Sequence, residues 1–367
     1  MTPIGWTLAG VAAAVVLVVV GMTYLAVVLA WEDQRTRGGA YYVQPLSERR
    51  RFRQRLRFHA RILRPVVRLS ARLTKVDLAK ASFRHAGIAG PKGSCSEESF
   101  RAGLAYVPRP EDVFVATQMK CGTTWMQHLV YQVLTRGEGA LAERGEALYA
   151  VSPWLEGIKS VSMGDAPLIG TERPSRVIKT HFPADLCPFA EHAKYIYVVR
   201  HPVSCFASCV DFIRANLGAF APGLNAMRAW YCSEEDMWWG SWPRHVESWW
   251  KLSQRHPTVL FVQFEEMKRD LAAVTRRVAE FLHVAPLTDH EVRSIVQKCG
   301  FEYMRQHDES FEMQPPHLLA IDAELMVRGT ADRYRDVPED LRRDVMDWCR
   351  ERLSGAEYPL ARQYPGS

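Results

Sequence analysis

The first 31 residues contain no Asp, Glu, Lys, Arg or His, and the stretch from Arg49 to Lys75 contains no acid. Cysteine is sparse, eight in 367 residues, which excludes a fold stapled by disulfides. Cys205 and Cys209 lie four apart, but no further Cys or His has zinc-site spacing, and free thiols are the default in a cytoplasmic domain. No glycine stands five residues before a Gly-Lys-Ser/Thr, so there is no Walker A loop. Internal repeats and low-complexity tracts are also missing. A chain that is 47% hydrophobic and 24% charged is neither disordered nor collagen-like. At roughly 150 residues per domain it makes one large domain or two ordinary ones.

The charge that is present is unevenly placed. Residues 49–75 hold ten Arg and one Lys; of the +6 overall they contribute +11, so the rest of the chain is net −5. The basic balance therefore says nothing about a basic catalytic surface. Ahead of it, residues 4–31 as a helix would be about 42 Å long, more than the roughly 30 Å hydrocarbon core. Residues 1–31 thus read as a transmembrane anchor. The competing reading is a cleaved signal peptide with Val28-Leu29-Ala30 at its cleavage site, but it lacks a basic n-region and its core is too long. Basic residues follow the span and none precedes it, so a single-pass chain with everything after residue 31 in the cytoplasm is expected. A secretory-pathway lumen is the alternative.

Phe52, Leu56, Leu63, Val66 and Val67 recur at roughly helical spacing among the arginines, and Pro65 is expected to break this segment in two. A basic amphipathic helix beside a span reads as an element resting on anionic lipid. A solvated basic linker is the plainer reading, and nucleic acid the remoter one. Residues 32–97 as a whole read as a juxtamembrane linker, with 76–110 a polar approach segment. Deleting residues 1–75 should then leave a working soluble domain.

From residue 108 short apolar runs alternate with helical periods. Residues 113–117, 176–180, 195–199 and 259–264 are strand candidates; the third is apolar throughout and so buried on both faces. Leu271, Val274, Val278 and Phe281 recur at 3–4 spacing in a following helix. Strands alternating with helices argue for an α/β fold with a parallel sheet, whose ligands bind at the carboxyl ends of strands.

The first strand runs into Gln118-Met119-Lys120-Cys121-Gly122-Thr123-Thr124-Trp125 and a helix. Glycine lets backbone N–H groups approach an anion, the helix start favours negative charge, and Lys120 adds a full positive charge. The second strand ends Lys179-Thr180-His181. Residues two apart share a face of a strand, so a cation and a base point the same way. That pairing suits taking a proton from a hydroxyl beside an anionic leaving group. The third strand ends Arg200-His201, and a helix then carries Ser204, Cys205, Ser208 and Cys209. Arg200 and Ser208 are candidates for a phosphate; His201 points the other way and reads as structural. Taken singly, these segments are also an ordinary capped helix start, a turn histidine and a salt-bridge arginine. Trp238, Trp239, Trp242, Trp249 and Trp250 read as core or pocket wall.

In this order and spacing the three segments resemble the cytosolic-type sulfotransferases (sulfotransferase 1 domain), which use 3′-phosphoadenosine 5′-phosphosulfate, PAPS. The stretch 109–125 resembles that family's 5′-phosphosulfate loop, Lys179-Thr180-His181 its segment with the catalytic base, and residues 198–208 its 3′-phosphate segment. Gly240-Ser241-Trp242, Trp249-Trp250 and Phe264-Glu265-Glu266-Met267-Lys268 also fit. The match covers roughly residues 98–350. Gln118 and Met119 stand where the family usually has Tyr-Pro, Cys121 where it has Ser, and Phe264 where it has Tyr. The late loop is Val327-Arg328-Gly329, followed by Ala331-Asp332-Arg333.

The resemblance implies an α/β fold with a P-loop-like parallel sheet flanked by helices over residues 98–367, to which this chain adds the single transmembrane helix read above. It implies a metal-free transfer of a sulfuryl group from PAPS to a hydroxyl or amine of a small, lipophilic acceptor. His181 is implied as general base, with Lys120, Lys179 and Ser208 as further catalytic groups. Lys120, Cys121, Gly122, Thr123, Thr124 and Trp125 are implied to hold the 5′-phosphosulfate, and Arg200 and Ser208 the 3′-phosphate. Phe264, Phe301, Met304, Arg328 and Gly329 complete the nucleotide site. Expected partners are a membrane and a small-molecule or lipid acceptor, not nucleic acid; the oligomeric state is open. The competing functions are a P-loop kinase using ATP and a catalytically inactive, membrane-tethered nucleotide-binding scaffold.

Overall fold

The structure, a computed structural model, describes residues 3–320 and 333–364. Two long helices lead, α1 (Pro3–Thr36) and α2 (Leu46–Leu73). Residues 76–110 are more than an approach segment. They form an antiparallel hairpin of β1 (Ser82–His85) and β2 (Ile88–Pro91), then α3 (Glu97–Leu104), whose start is capped reciprocally by Ser96 and Ser99.

The catalytic unit follows. β3 (Asp112–Thr117) leads through α4 (Thr123–Leu134) and the single turn α5 (Leu148–Val151) to β4 (Arg176–Thr180). β5 (Lys194–Val199) leads through α6 (Pro202–Leu217), α7 (Leu224–Tyr231) and α8 (Trp242–Arg255) to β6 (Val259–Gln263). The helices α9 (Phe264–Arg269), α10 (Leu271–Phe281), α11 (Asp289–Lys298), α12 (Phe301–Gln306), α13 (Asp308–Phe311) and α14 (Glu339–Arg352) complete it.

The four strands pair in parallel in the order β4-β3-β5-β6. Their apolar runs alternate between two cores. Phe114, Ala116, Ile178, Tyr195, Tyr197 and Val199 point into one, and Val113, Val115, Val177, Ile196, Val198 and Val262 into the other. Burial on both faces is why the strands read as continuous hydrophobic runs. The register pairs Val115 with Lys179, Ala116 with Thr180 and Thr117 with Val198, so the carboxyl ends of β3, β4 and β5 lie at one edge.

A third core departs from the sequence reading. Val28 of α1, Tyr41 and Tyr42 of the connection, and Phe52, Leu56 and Leu63 of α2 are buried with Leu141, Leu148, Tyr149, Met304 and Phe311. Residues 32–97 are therefore not a linker, and the domain does not begin at 98. Arg49, one of the ten arginines, is fully buried; it donates to the carbonyls of Gly145 (2.6 Å) and Glu309. Tyr41 Oη donates to Glu312 Oε1 at 2.5 Å, and Arg53 pairs with the same carboxylate. Burial pushes Glu312 up to about 7 against the pull of Arg53, Tyr41 and Arg49.

Pro65 does not break the helix: α2 runs unbroken through it. The ring sits on an exposed side of the helix, away from the third core. Two described stretches are long and apolar enough to cross a membrane, Val15–Thr36 and Pro202–Phe220. The second is α6 with the turn after it, and it packs into the first core.

Candidate active site

The loop after β3 is held in a conformation that constrains its sequence. Gly122 has φ +101° and caps α4; a Cβ there would lie 2.8 Å from Cδ2 of Phe264. Only glycine fits both the backbone and the space. Lys120 adopts φ +65°, a left-handed backbone that costs a non-glycine residue about 1–3 kcal/mol. The strain turns its ammonium toward Phe212, 4.7 Å from the ring centre, and Met313. Burial, with help from Arg200, lowers Lys120 to about 8.

Around the start of α4 the side chains are cross-braced. Thr123 Oγ1 bonds Thr117 Oγ1 at 2.6 Å, and Thr124 Oγ1 reaches Tyr149 Oη at 3.5 Å. Trp125 Nε1 donates to the Cys299 carbonyl at 2.8 Å, and its ring meets the edge of Phe264. Arg200, at the end of β5, lies 4.4 Å over the Phe264 ring and donates to the Lys120 carbonyl at 3.2 Å. Among the described residues its Nε is buried without a hydrogen-bond partner. Phe264 thus stacks between a tryptophan and a guanidinium, a job that needs no tyrosine hydroxyl. Gln118 donates to the carbonyls of Trp238 (3.0 Å) and Gly240 (2.8 Å), tying the loop to the tryptophan-rich turn. Cys121 is buried with its sulfur 3.6 Å from that of Cys205.

At the end of β4, His181 is buried and its Nδ1 donates to the Thr117 carbonyl at 2.8 Å. That bond places the proton on Nδ1 and leaves Nε2 with its lone pair and no protein partner among the described residues. Burial, then the Lys179 charge, holds the imidazole well below its usual range, so it is neutral at physiological pH. Lys179 is fully buried, its ammonium 3.5 Å from the Trp154 ring centre and 3.3 Å from Tyr149 Oη. Burial lowers it as well. Trp154 also meets the His181 ring edge to face at 5.5 Å, so Lys179 and His181 share one indole, as their spacing on the strand requires.

Glu156 escapes the sequence reading. Its buried carboxylate accepts from the His181 backbone N–H (2.7 Å), Thr180 Oγ1 (2.9 Å) and Trp154 Nε1 (2.8 Å), so one side chain fixes the whole base segment. Nothing in the spacing singles it out; the Ser152-Pro153 turn just before it is the nearest signal.

The other named residues fall as follows. Ser208 is half-buried on α6. Phe301 is half-buried at the start of α12, two residues beyond the carbonyl that holds Trp125, and Met304 is buried in the third core. Arg328 and Gly329 lie outside the described residues. His201 packs on Tyr334 and Tyr364, a structural role.

His181 and Lys120 line one cavity of about 210 Å³. Its walls are mainly apolar, with Leu78, Met119, Trp154, Phe212, Trp239 and Met313 prominent. Trp239 packs against the His181 ring, tilted by 53° at 4.7 Å between ring centres, and lines the cavity, so part of the tryptophan cluster is pocket wall. Among the described residues no group of three or more His, Cys, Asp and Glu is placed to hold a metal ion.

The profile of the sulfotransferase domain matches residues 110–357, two thirds of the chain. The chain belongs to the sulfotransferase family. This sulfotransferase is 30% identical over 243 residues to sulfotransferase 2B1 of Mus musculus, covering 65% of this chain and 69% of that one. It is 28% identical over 206 residues to sulfotransferase 1E1 of Homo sapiens, with 55% and 69% covered. Among solved structures it resembles retinol dehydratase in complex with androsterone and the inactive cofactor PAP, at TM-score 0.61 and 20% identity, covering 80% of this chain and 98% of that one. Mouse sulfotransferase SULT7A1 complexed with PAP gives TM-score 0.55 at 21% identity, with 75% and 94% covered. The fold is thus that of the sulfotransferases, and the domain match begins just before β3.

Proposed function

We propose that this PAPS-dependent sulfotransferase sulfates a hydroxyl on an apolar acceptor, with His181 as general base. The observation that carries the reading is the open Nε2 of a neutral His181 lining the same apolar cavity as Lys120. The residues present suit the donor. The unpartnered Nε of Arg200, the bare backbone at Gly122 and the start of α4 offer donors to phosphate oxygens, and Phe264 and Trp125 offer aromatic faces. Arg200 with Ser208 is assigned to the 3′-phosphate, and Phe301 and Met304 to the adenine side. Arg328 and Gly329 are assigned to the same nucleotide.

His181 Nε2 takes the acceptor's hydroxyl proton as the oxygen–sulfur bond forms and the bond from sulfur to the 5′-phosphate oxygen breaks, releasing PAP. Lys120 and Lys179 are assigned to the charge that builds on the sulfuryl and bridging oxygens. Glu156 keeps the base segment in place and Thr117 keeps the tautomer.

A cavity this small takes one ring or a short chain end, so a larger amphiphile would leave its remainder outside. We assign the acceptor to the membrane-borne class, with α1 as a single-pass anchor and the catalytic unit on the cytoplasmic side. The test is transfer from radiolabelled PAPS to a membrane lipid extract and to a panel of phenols and alcohols. Labelled product in the apolar fraction supports the reading. Magnesium-dependent use of ATP would make the protein a kinase, and PAP retention without turnover would make it a scaffold. Protease protection in sealed vesicles decides the side of the membrane.

A further inference from the structure

α2 carries two apolar faces, and the interior accounts for one. Phe52, Leu56 and Leu63 are turned into the third core rather than toward lipid. Phe58, Ile62, Leu69 and Leu73 are 60%, 50%, 55% and 82% exposed, and Pro65 is exposed among them. At 3.6 residues per turn these five fall within about 80° of arc. The neighbouring sector holds Arg61, Arg64, Arg68 and Arg72, all exposed.

On the other side of the stripe runs α1, antiparallel to α2. Trp31 stacks on Phe52, Tyr24 Oη bonds His59 Nδ1 at 2.6 Å, and a Cβ on Gly21 would lie 3.0 Å from Val66. The described part of α1 beyond Gly21 is bare: Val15, Val16, Leu17, Val18, Val19 and Val20 are each more than half exposed. Residues 3–20 of this helix are about 27 Å long, close to the roughly 30 Å of a hydrocarbon core. A span over this stretch would end near Gly21, where the second face of α2 begins.

We infer that this second face of α2 seats the enzyme on an anionic bilayer, its apolar stripe at the acyl boundary and its arginine row at the phosphates. The apolar surface is continuous with that of α1, and from Phe58 onward Arg61, Arg64, Arg68 and Arg72 complement lipid phosphate along one edge, the pattern of an interfacial helix; Arg51 and Arg55 share the stripe's arc only nearer the helix start. The seat also places the cavity. Just past Leu73, Lys75 Nζ donates to the Ala219 carbonyl (2.5 Å) and the Val76 N–H to that of Phe220 (2.9 Å). Val76, Leu78 and Leu217 line the acceptor cavity. The chain thus passes from bilayer contact to cavity wall within three residues, and the acceptor reaches His181 from the lipid surface. This deepens the membrane-borne acceptor reading and rests on it for the last step only.

The experiment uses the full chain in nanodiscs of phosphatidylcholine alone or with phosphatidylglycerol, carrying a nitroxide at Leu69→Cys or Leu73→Cys. Seven of the eight native thiols are buried, and the labelled parent protein provides the blank. Collision with oxygen exceeding collision with a water-soluble nickel chelate, more strongly with phosphatidylglycerol present, is the expected result. A label open to nickel overturns the seat, since the face is then in water. A label shielded from both also overturns it, since a second copy or another segment of the chain covers the face. This arm involves no acceptor, so it can succeed while the acceptor reading fails. For the route, Leu69→Ser/Leu73→Ser should raise KM severalfold for a phenol dissolved in anionic vesicles while leaving KM for a soluble phenol unchanged. Equal KM values for the vesicle-borne phenol in parent and variant would overturn the lipid-side entry.

Discussion

Four of the groups assigned to the nucleotide, Lys120, Gly122, Arg200 and Phe264, stand at or just past the ends of strands of one sheet, whereas the walls around the acceptor come from segments scattered over the chain. Lys120, Gly122 and Arg200 are set by the β3–β5 register, Phe264 by the end of β6, and their mutual contacts span one layer. The acceptor cavity joins Leu78 after α2, Trp154 before β4, Phe212 on α6, Trp239 and Met313. Hydrogen bonding of a sheet fixes the first set almost regardless of the surroundings. The second set exists only when distant pieces pack, the segment that follows α2 among them.

The sharpest way to break this comparison is truncation. Deleting residues 1–74 removes Tyr41, Tyr42, Arg49, Phe52, Leu56 and Leu63 from the third core and uncovers Tyr149 and Phe311. Each large core side chain lost is worth about 2–5 kcal/mol, more in sum than a domain's whole stability of about 5–15 kcal/mol. No folded enzyme is expected, contrary to what the sequence alone suggests. Deleting residues 1–20 should leave the melting temperature and the activity on a soluble phenol nearly unchanged. Thermal melts of the two truncations check this.

His181→Ala should lower turnover by roughly 10²–10⁴, the usual worth of a general base, and leave PAP affinity nearly unchanged. Near-normal turnover in a stopped radiolabel assay would remove His181 from the mechanism. Arg200→Ala acts on the other half. A charge-assisted contact is worth about 1.5–3 kcal/mol, so PAP affinity should fall about tenfold to a hundredfold. A nucleotide lacking the 3′-phosphate should lose less, and equal losses by calorimetry would make Arg200 structural.

The smallest effect is in pH. Lys120 sits at about 8 in the free protein because burial disfavours its charge. Bound phosphates favour the charged form and raise it again. Above about pH 8 binding must therefore take up a proton, and PAP affinity should fall by up to about tenfold per pH unit. Calorimetry in buffers of different ionisation enthalpy measures the uptake directly; none at pH 9 would show that Lys120 does not meet the phosphates.

The sequence exposed the nucleotide half because strand ends are legible. Continuous apolar runs mark β3 and β5, and the polar residues that follow have nowhere to go but the sheet edge. Lys179 and His181 were readable as a pair from the alternation of a strand alone. Glu156 was not, because its partners Thr180 and His181 lie 24 and 25 residues away, across a loop that has no periodicity. The two faces of α2 show a different limit. Phe52, Leu56 and Leu63 have helical spacing, and so do Phe58, Ile62, Leu69 and Leu73. Periodicity finds both stripes and cannot say which one the protein keeps. Nor could it show that Pro65 lies on a side of the helix that the protein leaves uncovered.

The bond from Tyr41 to Glu312 closes a loop of 271 residues. A ribosome adds about 5–20 residues per second, so Tyr41 emerges on the order of tens of seconds before its partner exists. Throughout that interval the inward face of α2 lacks the part of its cover that comes from Phe311 and Glu312, while Leu141, Leu148 and Tyr149 are made earlier. Contacts this remote also form late in refolding, since the entropy of closing the loop must be met before the contact rewards it. The contacts of Tyr41 and α2 with Phe311 and Glu312 are thus among the last that synthesis makes available.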